Sequence, residues 1–590
     1  MVSSSSLNPG CPPFEPQTCR CGKSFVKFKE VSVRSLVALF EHVNASNHYN
    51  FQLCRIPLPN SKLKFSVWYT KLHDYSDKVI CDYLQFGFPI DFDNSIQLKS
   101  DIGRNHKGAR EFPEFINSYF DRECSQLRIA GPFHNNPLSV PLVISPLNSV
   151  PKSESEERRV IVDLSWPHGH AVNNGISKDM YLNEPINLRY ASVEEVCNMV
   201  LSIGAGAVIY KRDLKQAYRQ IPVDPSDYQY LGYKWGDMMF FDTVLAMGQR
   251  NAAMACSRTT RAVMYLHNKD GFHGTSYLDD LIGVSPPNNG QTAFESLGVL
   301  LDELGLVENC KKACPPSVIQ TVLGVQIDTV ALTIAVTPDR MVELLELFQT
   351  WENKRNASKH DLQSLIGKLC FVTKCVRQSR IFLNRMLDTL RVCKRGSIDL
   401  SASFRKDIAW WKKFIHEFNG VSFIPSPIWS EPDVYFSTDS CLRGCGGIAH
   451  DEYFHSSYPE FILKQDLPIH QLELLAVLVG VRLWGKRYAG QKIQIFCDNE
   501  SAVTVINSSR TKDKFMATCL RELWLNVCCH EFELRAVHLP GEENRLADWL
   551  SRWEVDKIYS SKFNEFLVQE TQVYHELHVQ PDLFKFSNDL

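Results

Sequence analysis

Apolar positions recur with two different periods along the chain, and the change between them sets the first boundaries. Over residues 141–328 short β-rich runs alternate with helical patterns, which predicts an α+β domain. Within it, 208–214 reads as an apolar strand ending on Asp213, and Lys215-Gln216-Ala217-Tyr218 starts a helix or turn. The run 274–284 reads as a β-hairpin with Asp279 and Asp280 at its tip. Between these, Leu245 to Ala253 is a glycine-containing turn that leads into a helix. Upstream, Phe112, Phe115, Ile116 and Tyr119 form a helical stripe over 109–120.

Thr337-Pro338 then predicts a helix start, with Met341, Leu344, Leu345 and Phe348 on one face. Ser358 with Asp361 is a second capping signal, ahead of Leu362, Leu365, Ile366 and Leu369. A helical unit over about 338–418 follows from these. The three prolines within 421–432 mark a linker, and a second α/β unit runs from Asp433 to about Trp553. Residues 1–55, Ser/Pro/Cys-rich at the start, read as a partly disordered extension, 56–140 as a mixed region, and 554–590 as a tail of uncertain order. There are no internal repeats.

A chain of 590 residues suggests roughly four domain-sized units. Its apolar (44%) and charged (22%) fractions are those of ordinary globular protein, so each unit has the material for a core. The net charge of −3 leaves polyanion binding to a local basic surface. Nineteen cysteines are scattered, and the close pairs lack partners at zinc-site spacing. Cys11, Cys19 and Cys21 form the nearest thing to a cluster; free thiols in a reducing compartment are the expected state. No apolar run reaches the ~20 residues needed to span a bilayer, and no signal-peptide core stands at the N-terminus. A soluble intracellular protein (cytoplasm or nucleus) with no membrane partner is expected.

The carboxylates change the picture. A lone Asp-Asp turn or a lone strand-end aspartate is ordinarily a solvated surface group. Strand-end acids from two strands, however, can converge on one sheet edge, where like charges are tolerable only around divalent cations. Mg²⁺ takes hard oxygen ligands and shares them with phosphates. Two such ions can activate a 3′-hydroxyl and neutralise a leaving pyrophosphate, which is nucleotidyl transfer.

In this arrangement the sequence resembles the reverse transcriptase family. Tyr277-Leu278-Asp279-Asp280 matches its Tyr-x-Asp-Asp box, and Asp213-Leu-Lys-Gln-Ala-Tyr218 matches the box with its other metal-binding aspartate. Arg158 to Leu164 resembles the family's fingers strand; Leu304-Gly305-Leu306, Lys311-Lys312 and Leu323 to Asp328 continue the likeness. The resemblance implies that Asp213, Asp279 and Asp280 bind two Mg²⁺ (or Mn²⁺), with the Leu214 carbonyl contributing. It implies that Lys152 and Arg159 grip the triphosphate of the deoxynucleotide, and that Tyr218 gates against a 2′-hydroxyl. Met247 and Gly248 would flank base and sugar. Ala246-Met247-Gly248 stands where many relatives have Pro-Phe-Gly, and Ala253 where proline is common. The helical unit resembles the family's thumb, with Lys368, Arg377 and Arg380 toward the template–primer phosphates. An ordinary solvated helix face is the plainer reading of those cations, as a loop lysine is of Lys152.

A second set follows the linker: Asp439 on a strand, Glu473 on a helix with Leu472, Leu475, Ala476 and Val479, Asp498 at a strand end, and Asp548 in a helical stretch. Four carboxylates from four elements can form another two-metal cage. In this order they resemble the ribonuclease H family, which implies hydrolysis of RNA paired to DNA. His538, with Pro540 and Gly541 after it, matches that family's mobile histidine loop and implies a proton shuttle, against the plainer reading of a loop histidine. Arg482, Trp484, Lys486 and Arg487 mix aromatic and basic character suited to a hybrid.

The expected fold is therefore α+β and multidomain. A right-hand polymerase has fingers and palm over 141–330, adjoined by 56–140, and a thumb and connection over 331–420. An α/β ribonuclease H-like domain follows over 433–553. The blocks Arg159 to Ser165, Met247 to Ala253, His538 to Gly541 and Leu546 to Arg552 look most like DIRS-like retrotransposons, related to long-terminal-repeat elements. That resemblance implies an RNA template, a DNA primer, an RNA–DNA hybrid, deoxynucleoside triphosphates and a separately encoded integrating enzyme, a tyrosine recombinase. The rivals are a conventional long-terminal-repeat polymerase and an inactive relic that only binds nucleic acid. All seven acids are intact, which argues against the relic.

Overall fold

The computed structural model describes residues 62–99, 104–138, 140–151, 157–393, 396–417, 420–424, 431–530 and 532–586. Cys11, Cys19, Cys21, the expected N-terminal extension and Lys152 lie outside them. The chain is mixed α and β and gathers into two compact units, 1–320 and 321–590.

In the first unit, a four-stranded antiparallel sheet runs in the order Cys314–Ser317, Val208–Asp213, Asp280–Ser285, His273–Tyr277. Helices Val193–Ile203, Ala252–Lys269 and Gly290–Leu304 pack against it. Their cover explains why Val208–Asp213 is buried almost throughout, its charged end included, instead of alternating. The sheet closes round Tyr210: a Cβ on Gly283 would lie 2.1 Å from its ring, so only glycine fits opposite. The Tyr210 hydroxyl meets His267 Nε2 at 2.7 Å inside the core.

A second sheet, Ile129–Phe133, Met238–Asp242 and Gly232–Trp235, is held by stacked rings, Phe120 on Phe240 (4.3 Å) and Phe133 on Phe241 (5.7 Å). Beside it, buried Arg219 bridges Asp242 (2.6 Å) and Glu123 (3.0 Å), so three buried charges satisfy one another. The stripe expected over 109–120 is two helices, Lys107–Glu111 and Pro113–Ser125. Pro113 disfavours helical backbone at Phe112 and opens the second helix at its first position.

The second unit begins with antiparallel strands Val325–Asp328, Thr333–Val336 and Val421–Phe423. The expected linker over 421–432 thus opens as a strand, and 425–430 lie outside the described residues. Helix Pro338–Glu352 starts where Thr337-Pro338 predicts and buries Leu344, Phe348 and Trp351. Ser358 caps helix Lys359–Cys375: its hydroxyl accepts from Asp361 N–H, and the Asp361 carboxylate accepts from Ser358 N–H.

A six-stranded sheet follows in the order Glu533–His538, Lys492–Cys497, Val434–Ser440, Gly444–Ala449, Glu452–Ser457, His575–Glu576. The three central-to-edge strands from 434, 492 and 533 are parallel, and the 444 and 452 strands are antiparallel neighbours. The stretch after Trp553 belongs to this fold. Its helix Lys557–Gln569 buries Phe563 against Tyr453 and Leu550, and its strand pairs in parallel with Glu452 and Tyr453.

Candidate active sites

The first site lies where two neighbouring strands end and begin. Asp213 closes Val208–Asp213, Asp280 opens Asp280–Ser285, and the two are register partners. Tyr277 pairs with Asp280 on the other side, leaving Leu278 and Asp279 as the hairpin tip. Leu278 sits at φ +53°, a left-handed conformation costly for a leucine. The Leu214 N–H donates to the Asp279 carbonyl at 3.1 Å, which ties this strained tip to the Asp213 strand.

Asp213 is buried, and its carboxylate meets Lys312 Nζ and Asn309 Nδ2, each at 3.3 Å. Burial raises the Asp279 carboxyl, and the Asp213 charge raises it further, against the opposing pull of Lys312 and Arg159. Burial likewise raises Asp280, with Asp279 and Asp213 adding to it and Lys211 and Lys312 opposing. Three acids thus crowd at one sheet edge, where Lys211, Lys312 and Arg159 oppose the rise that burial and mutual repulsion cause in Asp279 and Asp280. That set of hard oxygen donors fits divalent cations. Lys312 and Asn309 were not among the residues singled out for the site. Lys311-Lys312 carried only a family likeness, and nothing local ties a loop lysine to an acid a hundred positions away.

Around these acids, Tyr218 is half-buried, its hydroxyl pushed up to about 12 by burial, with Cys256 and Asp279 adding to the rise. Arg159 is exposed on strand Arg158–Val162, within electrostatic reach of Asp279. Gly248 (φ +103°) lies in the turn against that strand's end: its added Cβ would stand 3.2 Å from the Val162 carbonyl. Asn173 locks the turn, donating to the Gly248 carbonyl (2.8 Å) and accepting from Arg250 N–H (2.9 Å). Met247 is half-buried beside it.

The second site draws on four elements. Asp439 lies in Val434–Ser440, Glu473 in helix Ile469–Trp484, Asp498 just past Lys492–Cys497, and Asp548 in helix Arg545–Ser551. Glu473 accepts from Ser440 N–H (3.0 Å) and from the Cys497 thiol (3.6 Å). Asp439 accepts from the Ser551 hydroxyl (2.5 Å) and lies within electrostatic reach of Asp498 and Asp548. Asp548 pairs with Arg552 Nε at 2.7 Å. Ligand atoms of Glu473, Cys497 and Asp498 all lie within 4.8 Å of one another.

Burial is the first cause raising Asp439, and the Asp498 and Asp548 charges add to it. Glu473 is raised in the same way by burial, then by Asp439 and Asp498. Burial and Asp548 raise Asp498, which His538 opposes. Buried carboxylates that raise one another in this way are relieved by a cation among them, so this set also fits divalent metal.

One glycine permits the assembly. A Cβ on Gly446 would stand 2.4 Å from Leu550 Cβ and 2.6 Å from Ser551 N, so the bare backbone lets the Asp548 helix lie against the strand beside Asp439. His538 is exposed at its strand end, with Nε2 3.1 Å from the Asp498 carbonyl oxygen. The following loop lies over the same acid, Gly541 facing Asp498 Oδ2. Cys497, Ser551 and Arg552 were not singled out as site residues; an alternating strand and an ordinary helix end carry no signal of what faces them.

The expected nucleic-acid contacts divide. Lys486 and Arg380 are exposed, whereas Lys368 pairs with Glu343 (2.8 Å) and Arg487 with Glu452 (2.6 Å). The side chain of Arg377 lies outside the described residues. Arg482 and Trp484 correct the expectation of a hybrid-facing surface. Trp484 is buried and donates to Glu452, because the helix packs that face on the sheet. Arg482 pairs with Glu522 and donates to the Leu583 and Lys585 carbonyls, anchoring the C-terminal segment.

No protein-family model and no curated protein matches the chain. Among solved structures it is similar to a foamy viral protease-reverse transcriptase dRH in complex with double-stranded DNA, at 13% identity and TM-score 0.46, covering 84% of this chain and 85% of the other. A second similar structure is the foamy viral protease-reverse transcriptase with double-stranded DNA, at 13% identity and TM-score 0.43, covering 82% and 98%. Likeness at this level carries no weight on chemistry, which rests on the side chains. Among the described residues no helix is long and apolar enough to cross a membrane.

Proposed function

We propose that the chain is an RNA-directed DNA polymerase with ribonuclease H activity, of a retrotransposon. One observation carries the reading: acids distant in sequence meet in two separate nests, where burial and mutual repulsion raise Asp279 and Asp280 in the first and Asp439, Glu473 and Asp498 in the second. Groups held in that state are poised to exchange protons for metal.

In the first nest Asp213, Asp279 and Asp280 would hold two Mg²⁺ or Mn²⁺. Such ions, when bound, activate a hydroxyl and neutralise a leaving phosphate. Arg159, with Lys152, draws in the triphosphate of the deoxynucleotide, and the Tyr218 ring closes the space of a 2′-hydroxyl. The Met247–Gly248 turn seats base and sugar. In the second nest Asp439, Glu473, Asp498 and Asp548 would hold the metals for hydrolysis of RNA in a hybrid. His538, exposed above Asp498, carries a proton between solvent and the cleaved phosphate. Lys368, Arg377, Arg380, Lys486 and Arg487 take the phosphates of template, primer and hybrid, Lys368 and Arg487 by giving up their present partners.

On this reading 141–330 are fingers and palm, 331–420 thumb and connection, and 433–553 the ribonuclease H domain with its C-terminal helix and strand. The DIRS-like type rests on the sequence blocks named above; a tyrosine recombinase gene beside this reading frame supports it, and an aspartic protease with a retroviral integrase there overturns it.

Primer extension on an RNA template, run beside cleavage of a labelled RNA–DNA hybrid, tests the whole. Metal-dependent extension lost in Asp279→Asn/Asp280→Asn, and cleavage lost in Glu473→Gln, is the expected result. Binding without turnover in the unaltered chain overturns it in favour of a nucleic-acid-binding relic.

A further inference from the structure

Among the described residues Trp166 is the one exposed tryptophan, 42% accessible, while the others are buried or half-buried. The loop that carries this indole is fastened by hydrogen bonds on both sides. Asp163 accepts from Ser165 N–H (3.0 Å), and the Trp166 N–H donates to the Asp163 carbonyl (3.3 Å). His170 and Lys99 N–H bonds fasten the far side, His170 Nδ1 meeting the Gln97 carbonyl. Asn173 donates to Ser165 Oγ (2.9 Å) with the same amide that reaches Gly248.

These bonds set the indole's position. Its loop leaves the strand that carries Arg159, whose charge reaches Asp279, and Asn173 clamps that loop to the Met247–Gly248 turn. Two imidazole rings stand steeply inclined to the indole, His168 at 5.4 Å and His106 at 6.1 Å between ring centres. Asp163, three residues before Trp166, has both carboxylate oxygens engaged, by His106 Nε2 at 2.9 Å and by Ser165 N–H at 3.0 Å. A solvent-exposed indole with two imidazoles beside it, on a loop that continues the Arg159 strand, suits a ligand with flat bases on an anionic backbone.

We propose that Trp166 is a stacking platform for an unpaired base of the template strand close to the first acid nest. The inference rests on the polymerase reading for the name of that strand, but not for the stacking itself. Trp166 is a positioning residue that holds the incoming template before it pairs.

The test uses the full chain and two substrates, a DNA primer on an RNA template with a 5′ single-stranded overhang, and the blunt duplex of the same sequence. Binding is measured without nucleotides by anisotropy, and 2-aminopurine at the first unpaired template position reports stacking. The unaltered chain is expected to prefer the overhang and to quench the probe. Trp166→Ala is expected to lose roughly tenfold of that preference, along with the quenching, and Trp166→Phe to keep most of both. An unchanged preference and unchanged quenching in Trp166→Ala overturn the proposal, as does a chain without any overhang preference. Extension by the unaltered chain, measured in parallel, separates the two ideas. Extension with no effect of Trp166→Ala sinks the platform alone; lost quenching without extension sinks the polymerase reading and leaves a single-strand site.

Discussion

Asp213 and Asp280 stand directly opposite each other on adjacent antiparallel strands, and Lys312 Nζ lies 3.3 Å from the Asp213 carboxylate. Like charges opposed across a strand pair weaken a sheet. The pairing persists because burial and repulsion raise the Asp280 carboxyl and Lys312 offsets part of the charge.

Replacing Asp280 by Asn removes that repulsion while keeping the shape. Without metal, the variant is expected to unfold at the same temperature as the parent or a higher one. Primer extension should fall by roughly 10²–10³-fold, the scale of losing one group that acts on the transition state. Thermal melts in chelator beside extension assays check both, and a lower melting temperature with full activity contradicts the assignment.

Magnesium should stabilise the second unit more as pH rises. The folded, metal-free Asp439 and Glu473 carboxyls lie above their unfolded values, chiefly through burial. Their contribution is therefore fully present below the ordinary carboxylate range and is lost as pH climbs through the raised folded values. Metal must displace those protons. The melting shift on adding Mg²⁺ is expected to be larger at pH 8 than at pH 6, with protons released on binding; a shift that shrinks with pH would count against a carboxylate site.

Gly446→Ala tests how the Asp548 helix is placed. The new methyl would stand 2.4 Å from Leu550 Cβ and 2.5 Å from the Leu550 backbone carbon, so the helix must move. Overpacking of this kind costs about 1–3 kcal/mol. Hybrid cleavage should fall at least tenfold, consistent with about 1 Å misplacement of one acid, while extension is retained. Cleavage at the parent rate would show that Asp548 needs no close approach.

Acid should weaken the first unit through His267. Burial lowers its imidazole from 6.5 to about 4, its Nε2 meets Tyr210, and its Nδ1 has no hydrogen-bond partner. The folded state keeps it neutral while the unfolded chain protonates, so stability falls as pH drops from 6.5 toward 4, by up to about 3 kcal/mol. His267→Gln should flatten that part of the stability profile in urea melts at stepped pH; an unchanged slope assigns the acid limb elsewhere.

Arg521 and Asp407, both buried, join helix Lys514–His530 to helix Ala402–Glu417 at 2.7 Å, with Arg385 Nη1 a further partner of Asp407 at 3.0 Å. Asp407→Ala strands two cations and should cost about 3–5 kcal/mol. Asp407→Leu with Arg521→Met should recover much of it. A double-mutant cycle by denaturant unfolding measures the coupling, and additive losses would mean that the pair does not act as a unit.

Local chemistry was legible in the chain itself. The Ser358–Asp361 cap, the hairpin that lifts Asp279 to a turn and the helix start at Pro338 follow from neighbours a few residues apart, whereas the acids of both nests stood out only by their order along the chain and the resemblance it carries. The cap, hairpin and helix start are short-ranged, so spacing alone encodes them. What the tertiary structure decided is long-ranged: the register that opposes Asp213 to Asp280, Lys312 on Asp213, the Cys497 thiol against Glu473, and the bare Gly446 under Leu550. It also turned Arg482 from a surface cation into an anchor and the region after Trp553 into helix and strand, since burial is set by what packs opposite, and a sequence does not display its partners.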